Sequence, residues 1–386
     1  MDWARVHFIG IGGVSMEALA KLLAEDGVKV SGSDSSVGRG HRATNIHKGI
    51  DAVVLNGAIS DDNVEYLRAK KLGIKIIDRS DLLAMIESRY TNRVAVAGTH
   101  GKSTTTAMIG AVMAGLNPTV HNGARPNLVI GGREFFITEA CEFKRSFLKL
   151  SPTVAVITNI DVDHMDCYRD LDDIKAAFKQ FSDKTDAVIA HDGDIDCHEY
   201  RDGYYSFDVE GEQIRLGVPG RHNVMNAMLA VRVGLHFGVS ISDIKDALEN
   251  FTGIERRFQF ETDNIVFDYA HHPTEIQTTI DTANRIFGKG RYLVVFQPHT
   301  FTRTVALFDD FVSVLSGADC VLYKTFSARE KPIKGGTAGD IANALGVRYF
   351  KSQRGLEKYL GKIARKYCAI ILTGAGDINR IKFLTI

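Results

Sequence analysis

Parallel α/β sheets divided among three domains are the architecture this sequence predicts, on three observations. Short apolar segments alternate with helical periodicity almost from end to end, the pattern of parallel strands covered by helices. At 386 residues the chain exceeds what one ordinary hydrophobic core holds. Several apolar segments stop at a glycine or proline turn and restart as a helix, as loops beyond the strand ends of an open sheet do.

Taken in order, residues 6–9 read as a buried strand ending in Gly10-Ile11-Gly12-Gly13, followed by a helix over 15–25 and a strand over 28–31. Strands at 52–55 and 74–77, with a helix between them, continue this sheet and complete a first domain at 1–88. A second domain, 89–253, carries strands at 94–97, 136–139, 154–158 and 187–190 and helices at 104–113, 171–181, 224–237 and 242–250. A third, 254–386, carries strands at 265–269, 292–296, 320–322 and 369–372 between helical segments. The stretch 34–51 is too short for a helix and a strand, and 191–218 reads as a trimmed hairpin.

Composition narrows the class. The 47 basic and 47 acidic residues balance, which removes any general attraction to nucleic acid or an anionic membrane. No apolar run reaches the length of a membrane span, and the amino end lacks a signal-peptide pattern. Five scattered cysteines without a Cys-x-x-Cys pair fit reduced thiols in a cytoplasm, not a disulfide framework or a structural zinc site.

The chemistry concentrates at strand ends. Gly98-Thr-His-Gly101-Lys102-Ser103-Thr104 follows a strand and opens a helix, as a phosphate-binding loop does. Its amides and the Lys102 charge suit phosphate oxygens, and the Ser103 hydroxyl suits Mg²⁺. Val96 stands where the strict pattern has glycine. Glu139 ends a neighbouring strand and either completes a Mg²⁺ shell or caps the strand end in water. The run Asp161-Val-Asp163-His164-Met-Asp166 is either a divalent-ion site or an acidic turn capping the helix near Leu171. Gly10-x-Gly12-Gly13 admits a diphosphate, or is simply a tight turn. Asn223 reads as a helix N-cap, and Asn226 suits the edge of a purine. Asp268, His271, His272, His299 and Arg303 cluster at two further strand ends, before helices that could themselves use such residues as caps.

The ordered set resembles the Mur ligase family, in its alanine-adding branch. The matching runs begin with His7-Phe-Ile-Gly-Ile-Gly-Gly13, Gly32-Ser33-Asp34, Ala97-Gly-Thr-His-Gly-Lys-Ser-Thr-Thr-Thr106 and Glu139-Ala-Cys-Glu142. They continue through Thr158-Asn-Ile160, Asp163-His164, Gly220-Arg-His-Asn223, Asn226-Ala227, Arg256-Arg257-Phe258, Asp268-Tyr-Ala-His-His-Pro-Thr-Glu275, Phe296-Gln-Pro-His-Thr-Phe-Thr-Arg-Thr304 and Gly374-Ala-Gly376. The resemblance implies a Rossmann-like amino-terminal domain for the UDP-sugar, a central P-loop ATPase domain and a Rossmann-like carboxyl-terminal domain for the amino acid. It implies an ADP-forming ligase joining L-alanine to the lactyl carboxylate of UDP-N-acetylmuramate through an acyl phosphate, in cytoplasmic peptidoglycan precursor synthesis, by a monomer or weak homodimer.

By the same resemblance, residues Gly98 to Thr104 hold ATP together with Asn226, Arg257, Asp268 and His272. Ser103 and Glu139 hold one Mg²⁺, and Glu139 with His164 a second. Gly10, Gly12, Gly13, Ser33 and Asp34 receive the UDP-sugar, while His299 and Arg303 hold the muramyl group or the reacting phosphate. Lys102, Glu139, His164, His299 and Arg303 form the catalytic set. The chain departs from the family in its shortened first domain, in Ser15 for a common glycine, in Asn56-Gly57 for two serines and in Cys141 for an aspartate. Two alternatives stand beside this reading. A ligase that reattaches a recycled tripeptide usually carries extra residues after the acidic motif, and 142–148 is compact. A non-catalytic nucleotide-binding paralogue has no reason to keep Lys102, Glu139 and His164.

Overall fold

The computed structural model describes residues 3–35, 38, 40–163, 165, 167–191, 193–327 and 330–382. The chain forms two compact units, Met1–Gly193 with Met228–Ser240, and Asp194–Ala227 with Ile241–Ile386. Among the described residues, no helix is long and apolar enough to cross a membrane.

The first unit holds two sheets. Strands β1 (Arg5–Ile9), β2 (Lys29–Ser33), β3 (Ala52–Leu55) and β4 (Lys75–Asp78) pair in parallel, in the order β2-β1-β3-β4. Their helices are α1 (Val14–Glu25), α2 (Val64–Leu72) and α3 (Arg79–Glu87). The winding reverses between β1 and β3, which puts the glycine turn after β1 at the point where open α/β sheets take ligands. Between β2 and β3 the described residues hold a single 3-10 turn, Ala43–Asn45, in agreement with the short segment.

Glu65 of α2 fastens that segment. Its fully buried carboxylate accepts bonds from the Ser33 hydroxyl, the Asn45 side chain and the Arg42 amide and meets His41 Nδ1 at 3.1 Å. Burial alone would raise the Glu65 pKa. The bonds from His7, Ser33 and Asn45 prevail and hold it at about 2.

The second sheet contains β5 (Asn92–Ala97), β6 (Thr119–His121), β7 (Leu128–Val129), β8 (Phe135–Glu139), β9 (Val154–Ile157) and β10 (Ala187–Ala190), with helices α4 (Lys102–Val112) and α5 (Leu171–Ser182). Its order is β10-β9-β5-β8-β6-β7, parallel except for β7. Helix α5 buries Ile174, Ala177, Phe178 and Phe181, one apolar stripe at helical spacing. Its cap is Asp170, which accepts the Asp173 amide at 2.8 Å. The acidic run that begins at Asp161 is therefore not that helix's cap. One apolar cluster extends from Phe8, Leu19 and Val54 through Ile86 and Tyr90 to Phe136, Phe147 and Phe178, so the two sheets share a core.

The second unit opens with an antiparallel sheet, β11 (His198–Arg201), β12 (Tyr204–Val209) and β13 (Glu212–Arg215). Three strands stand where a trimmed hairpin was expected, because two successive tight turns fit in the same length. Helix α6 (His222–His236) starts in this unit and counts with the first unit from Met228 onward, and α7 (Ile241–Glu249) follows in the second. The main sheet has the order β14 (Gln259–Thr262), β15 (Ile265–Asp268), β19 (Ala369–Thr373), β16 (Tyr292–Phe296), β17 (Cys320–Tyr323), β18 (Tyr349–Phe350), with only β14 antiparallel. Helices α8 (Pro273–Phe287), α9 (Phe301–Ala306), α10 (Phe308–Leu315), α11 (Ala338–Leu345) and α12 (Gln353–Ile363) connect these strands. Separate apolar clusters lie on its two faces, one around Phe296, Phe311 and Ile341 and the other around Leu293, Leu356 and Leu372.

Candidate active site

Strand β5 runs directly into the phosphate loop. Val96 is inside the strand, buried and opposite Glu139 of β8, so position 96 belongs to the sheet and the turn begins at Gly98. Gly98 has φ +142°, and a Cβ there would fall 1.9 Å from the Thr158 hydroxyl. The end of β9 grips the outer half of the loop. Asn159 accepts the Thr99 amide on its carbonyl at 3.1 Å and the His100 amide on its side chain at 2.9 Å, and Thr158 donates to the His100 carbonyl at 2.6 Å. Helix α4 begins at Lys102, two residues earlier than expected, with Gly101 as its cap. The loop's anion-binding end is thus the start of α4, where helix amides point outward.

Lys102 bends back across this loop. Its ammonium donates to the Gly98 carbonyl, to the Thr99 carbonyl at 3.0 Å and to Glu142 at 3.1 Å. Burial opposes its charge, yet Glu142, Cys141 and Glu139 outweigh that and hold its pKa above the ordinary lysine range. These neighbours favour the charged ammonium.

Ser103 and Glu139 come together. The Ser103 hydroxyl donates to Glu139 Oε2 at 2.6 Å, and the Gly123 amide donates to the same oxygen at 3.1 Å. A Cβ on Gly123 would fall 2.4 Å from that oxygen, so a side chain here would push the Glu139 carboxylate out of this position. Asn122 donates to the Ser103 carbonyl at 3.0 Å. Two hard oxygen donors converging beside a phosphate loop fit a divalent cation of the Mg²⁺ type. His164 and Asp166 lie outside the described residues. Asp161 meets His100 Nε2 at 3.3 Å.

At the first sheet, Gly10 has φ +85°, and Gly10 and Ile11 donate their amides to the Ser33 carbonyl at 2.8 and 3.1 Å. Asp34 accepts the Gly12 amide at 3.1 Å, and Gly13 caps α1 without a side chain. Ser33 is fully buried, its hydroxyl bonded to Glu65, so it braces the turn from beneath.

In the second unit, α6 begins at His222, so Asn223 stands inside the first turn and is not the cap expected of it. It donates to the Pro219 carbonyl at 2.7 Å and accepts from Asn226 at 3.0 Å. The other residues gather at the carboxyl ends of β15 and β16, the two strands that flank β19. Asp268, ending β15, accepts the Ala270 amide and the Thr279 hydroxyl at 3.1 and 2.8 Å. Its burial raises its pKa against the pull of Arg257 and Thr279. His272 caps α8 in a capping box with Glu275. The Arg256 and Arg257 guanidinium groups lie 4.9 and 5.1 Å from the centre of the Tyr269 ring. Beyond β16, Arg303 approaches His299 Nδ1 at 3.4 Å, and His299 stacks on Phe326 and meets the His271 ring edge-on at 5.7 Å.

Two contributors were not singled out from sequence. Glu142 is the counter-ion of Lys102, and Asn122 braces Ser103. Glu142 closes the Glu139-Ala-Cys-Glu142 run, so the signal was present but undirected. Asn122 carried none.

Matches to known proteins agree with this geometry. Residues 5–91 match the Mur ligase family catalytic domain, 96–196 the Mur ligase middle domain and 256–376 the Mur ligase glutamate ligase domain. The UDP-N-acetylmuramate–L-alanine ligase of Lachnospira eligens is 37% identical over 97% of this chain and 96% of that protein. The ligase of the same name from Clostridium botulinum is 36% identical over 97% and 96%. The first alignment runs over 443 positions, more than the 386 of this chain, so the shortening includes internal gaps. Among solved structures, the UDP-N-acetylmuramate–alanine ligase MurC of Thermotoga maritima superposes with a TM-score of 0.81 at 28% identity, covering 97% of this chain and 96% of that one. A murein peptide ligase of Psychrobacter arcticus shares the fold, with a TM-score of 0.71 at 21% identity over 98% and 97%.

Proposed function

The chain belongs to the Mur ligase family, and from that premise we propose that it joins L-alanine to the lactyl carboxylate of UDP-N-acetylmuramate, converting ATP to ADP and phosphate, in cytoplasmic peptidoglycan precursor synthesis. The observation that carries the reading is identity of 36–37% along nearly the whole chain to ligases of that name. In this reading 1–88 serves the UDP-sugar, 89–253 ATP and 254–386 the amino acid.

A carboxylate is a poor acyl donor, so the chemistry runs in two steps. A lactyl carboxylate oxygen attacks the γ-phosphorus of ATP, the bond to ADP breaks, and an acyl phosphate forms. The alanine amine then attacks the acyl carbon, and the tetrahedral intermediate expels phosphate as the amine loses its proton. Lys102 and the amides at the start of α4 hold the phosphoryl oxygens as charge spreads over them. Ser103 and Glu139, with His164 for a second ion, would hold Mg²⁺, which supplies neutralisation of phosphate charge. Asn226, Arg257, Asp268 and His272 surround the nucleoside. His299 and Arg303 orient the muramyl group or the departing phosphate, and the turn at Gly10, Gly12 and Gly13 with Asp34 seats the UDP moiety.

An acceptor panel tests the assignment. With ATP, Mg²⁺ and UDP-N-acetylmuramate, product should form with L-alanine well above L-serine, glycine or the tripeptide. Preference for the tripeptide would transfer the chain to the recycling branch.

A further inference from the structure

Arg79, the first residue of α3, feels the charge of its chain neighbour Asp78 but forms no ion pair with it, and the Asp78 carboxylate accepts from the Ser80 amide and hydroxyl instead. Arg79 Nη1 donates to the Ser15 hydroxyl at 3.2 Å, and among the described residues the guanidinium has no carboxylate partner and no other acceptor. Ser15 is the second residue of α1, directly beyond the glycine turn. A cation beside a helix amino terminus is electrostatically unfavourable unless an anion joins it. The neighbouring carboxylates are engaged elsewhere. Glu17 pairs with Lys21 at 2.8 Å and Arg125 at 2.6 Å, Asp78 caps α3 through the Ser80 amide, and Asp34 accepts the Gly12 amide.

The rest of the network fixes this guanidinium in place. Arginine only donates, so the Ser15 hydroxyl accepts from it and gives its own proton to His121 Nε2, 2.8 Å away. His121 then donates from Nδ1 to the Thr138 hydroxyl at 2.9 Å, which donates to the Glu139 carbonyl at 3.1 Å. Only a neutral imidazole satisfies this direction. Burial, with the Arg79 charge adding to it, pushes the His121 pKa down to about 3. One donor of Arg79 is therefore spent on holding it still, and the others remain for a ligand. A fork of N–H groups suits phosphate oxygens.

We propose that Arg79 binds the diphosphate of the UDP-sugar, its guanidinium steadied by Ser15 at the amino end of α1 above the glycine turn. The proposal rests on reading that turn as the UDP site, and the test separates the two. Titration calorimetry on the full chain would compare UDP, uridine and UDP-N-acetylmuramate for the wild type, Arg79→Gln, Arg79→Lys and Ser15→Ala, alongside KM for ATP.

The expected result is a loss of about 10- to 100-fold in UDP affinity for Arg79→Gln. Uridine binding and the KM for ATP should stay within about twofold, and Arg79→Lys should recover part of the loss because it restores the charge. Unchanged UDP affinity in Arg79→Gln, with the wild type binding UDP, would overturn the role of Arg79 alone. So would a loss confined to UDP-N-acetylmuramate, which would assign the cation to the lactyl carboxylate. A full loss in Ser15→Ala with Arg79→Lys silent would reduce Arg79 to a prop. A wild type that binds ATP but neither UDP compound would instead remove the UDP site itself.

Discussion

The Lys102 ammonium lies 3.0 Å from the Glu142 carboxylate, and both side chains are largely withdrawn from water. The pair fixes a cation at the mouth of the phosphate loop. Truncating one partner leaves the other charge buried, at a cost of about 3–5 kcal/mol. Glu142→Leu should therefore destabilise the protein by that order, and Lys102→Met combined with it should restore much of the loss, as a double-mutant cycle on denaturant unfolding would show. In activity the single variant Lys102→Ala should lose about a thousandfold or more of kcat while still folding.

Ser103 and Glu139 share one oxygen-lined point. Glu139→Gln removes the one charged donor of this pair, so the Mg²⁺ concentration for half-maximal rate should rise about 10- to 100-fold. Ser103→Ala should act in the same direction. A Mg²⁺ titration at saturating substrates checks both, and an unchanged requirement would move the ion elsewhere.

Glu87 is buried, and burial pushes its pKa up to about 7 against the pull of the Ser151 amide and Arg93. The folded state therefore holds this proton where the unfolded chain, near the ordinary glutamate value of 4.5, has released it. Stability from this site is greatest below the unfolded pKa and falls as pH rises from there to about 7. Glu87→Gln should stabilise the protein at pH near 8 by roughly 1–3 kcal/mol and give little near pH 4. Thermal midpoints across that range give the answer.

Glu65 has the opposite sign. Its pKa is held at about 2, so its stabilisation is complete above the unfolded value of 4.5 and is lost as pH falls through that interval. Glu65→Ala leaves Ser33, Asn45 and the Arg42 amide without their acceptor and should cost about 2–4 kcal/mol. Hydrogen exchange at the Arg42 amide should rise with it.

Much of this was readable from residues alone, for identifiable reasons. Continuous apolar runs such as Ala52–Leu55 and Tyr292–Phe296 are strands at those bounds, because few other structures bury such short segments. Two-residue edge strands such as Leu128–Val129 and Tyr349–Phe350 carry no period to detect. The polar ribbon His198–Arg201 is wholly exposed and lacks the apolar alternation of a core strand. At the site, Gly98 to Ser103 announced themselves by spacing. Ser15 and His121 meet across 106 positions, and Lys102 and Glu142 across 40, contacts that only the packed sheets create.

The most direct test of the central claim is phosphate release from ATP by the full chain, with each substrate added and withheld in turn. Release is expected only when UDP-N-acetylmuramate and L-alanine are both present, with one phosphate per alanyl product. Release that ignores either substrate, or none with both despite ATP binding, would contradict that claim.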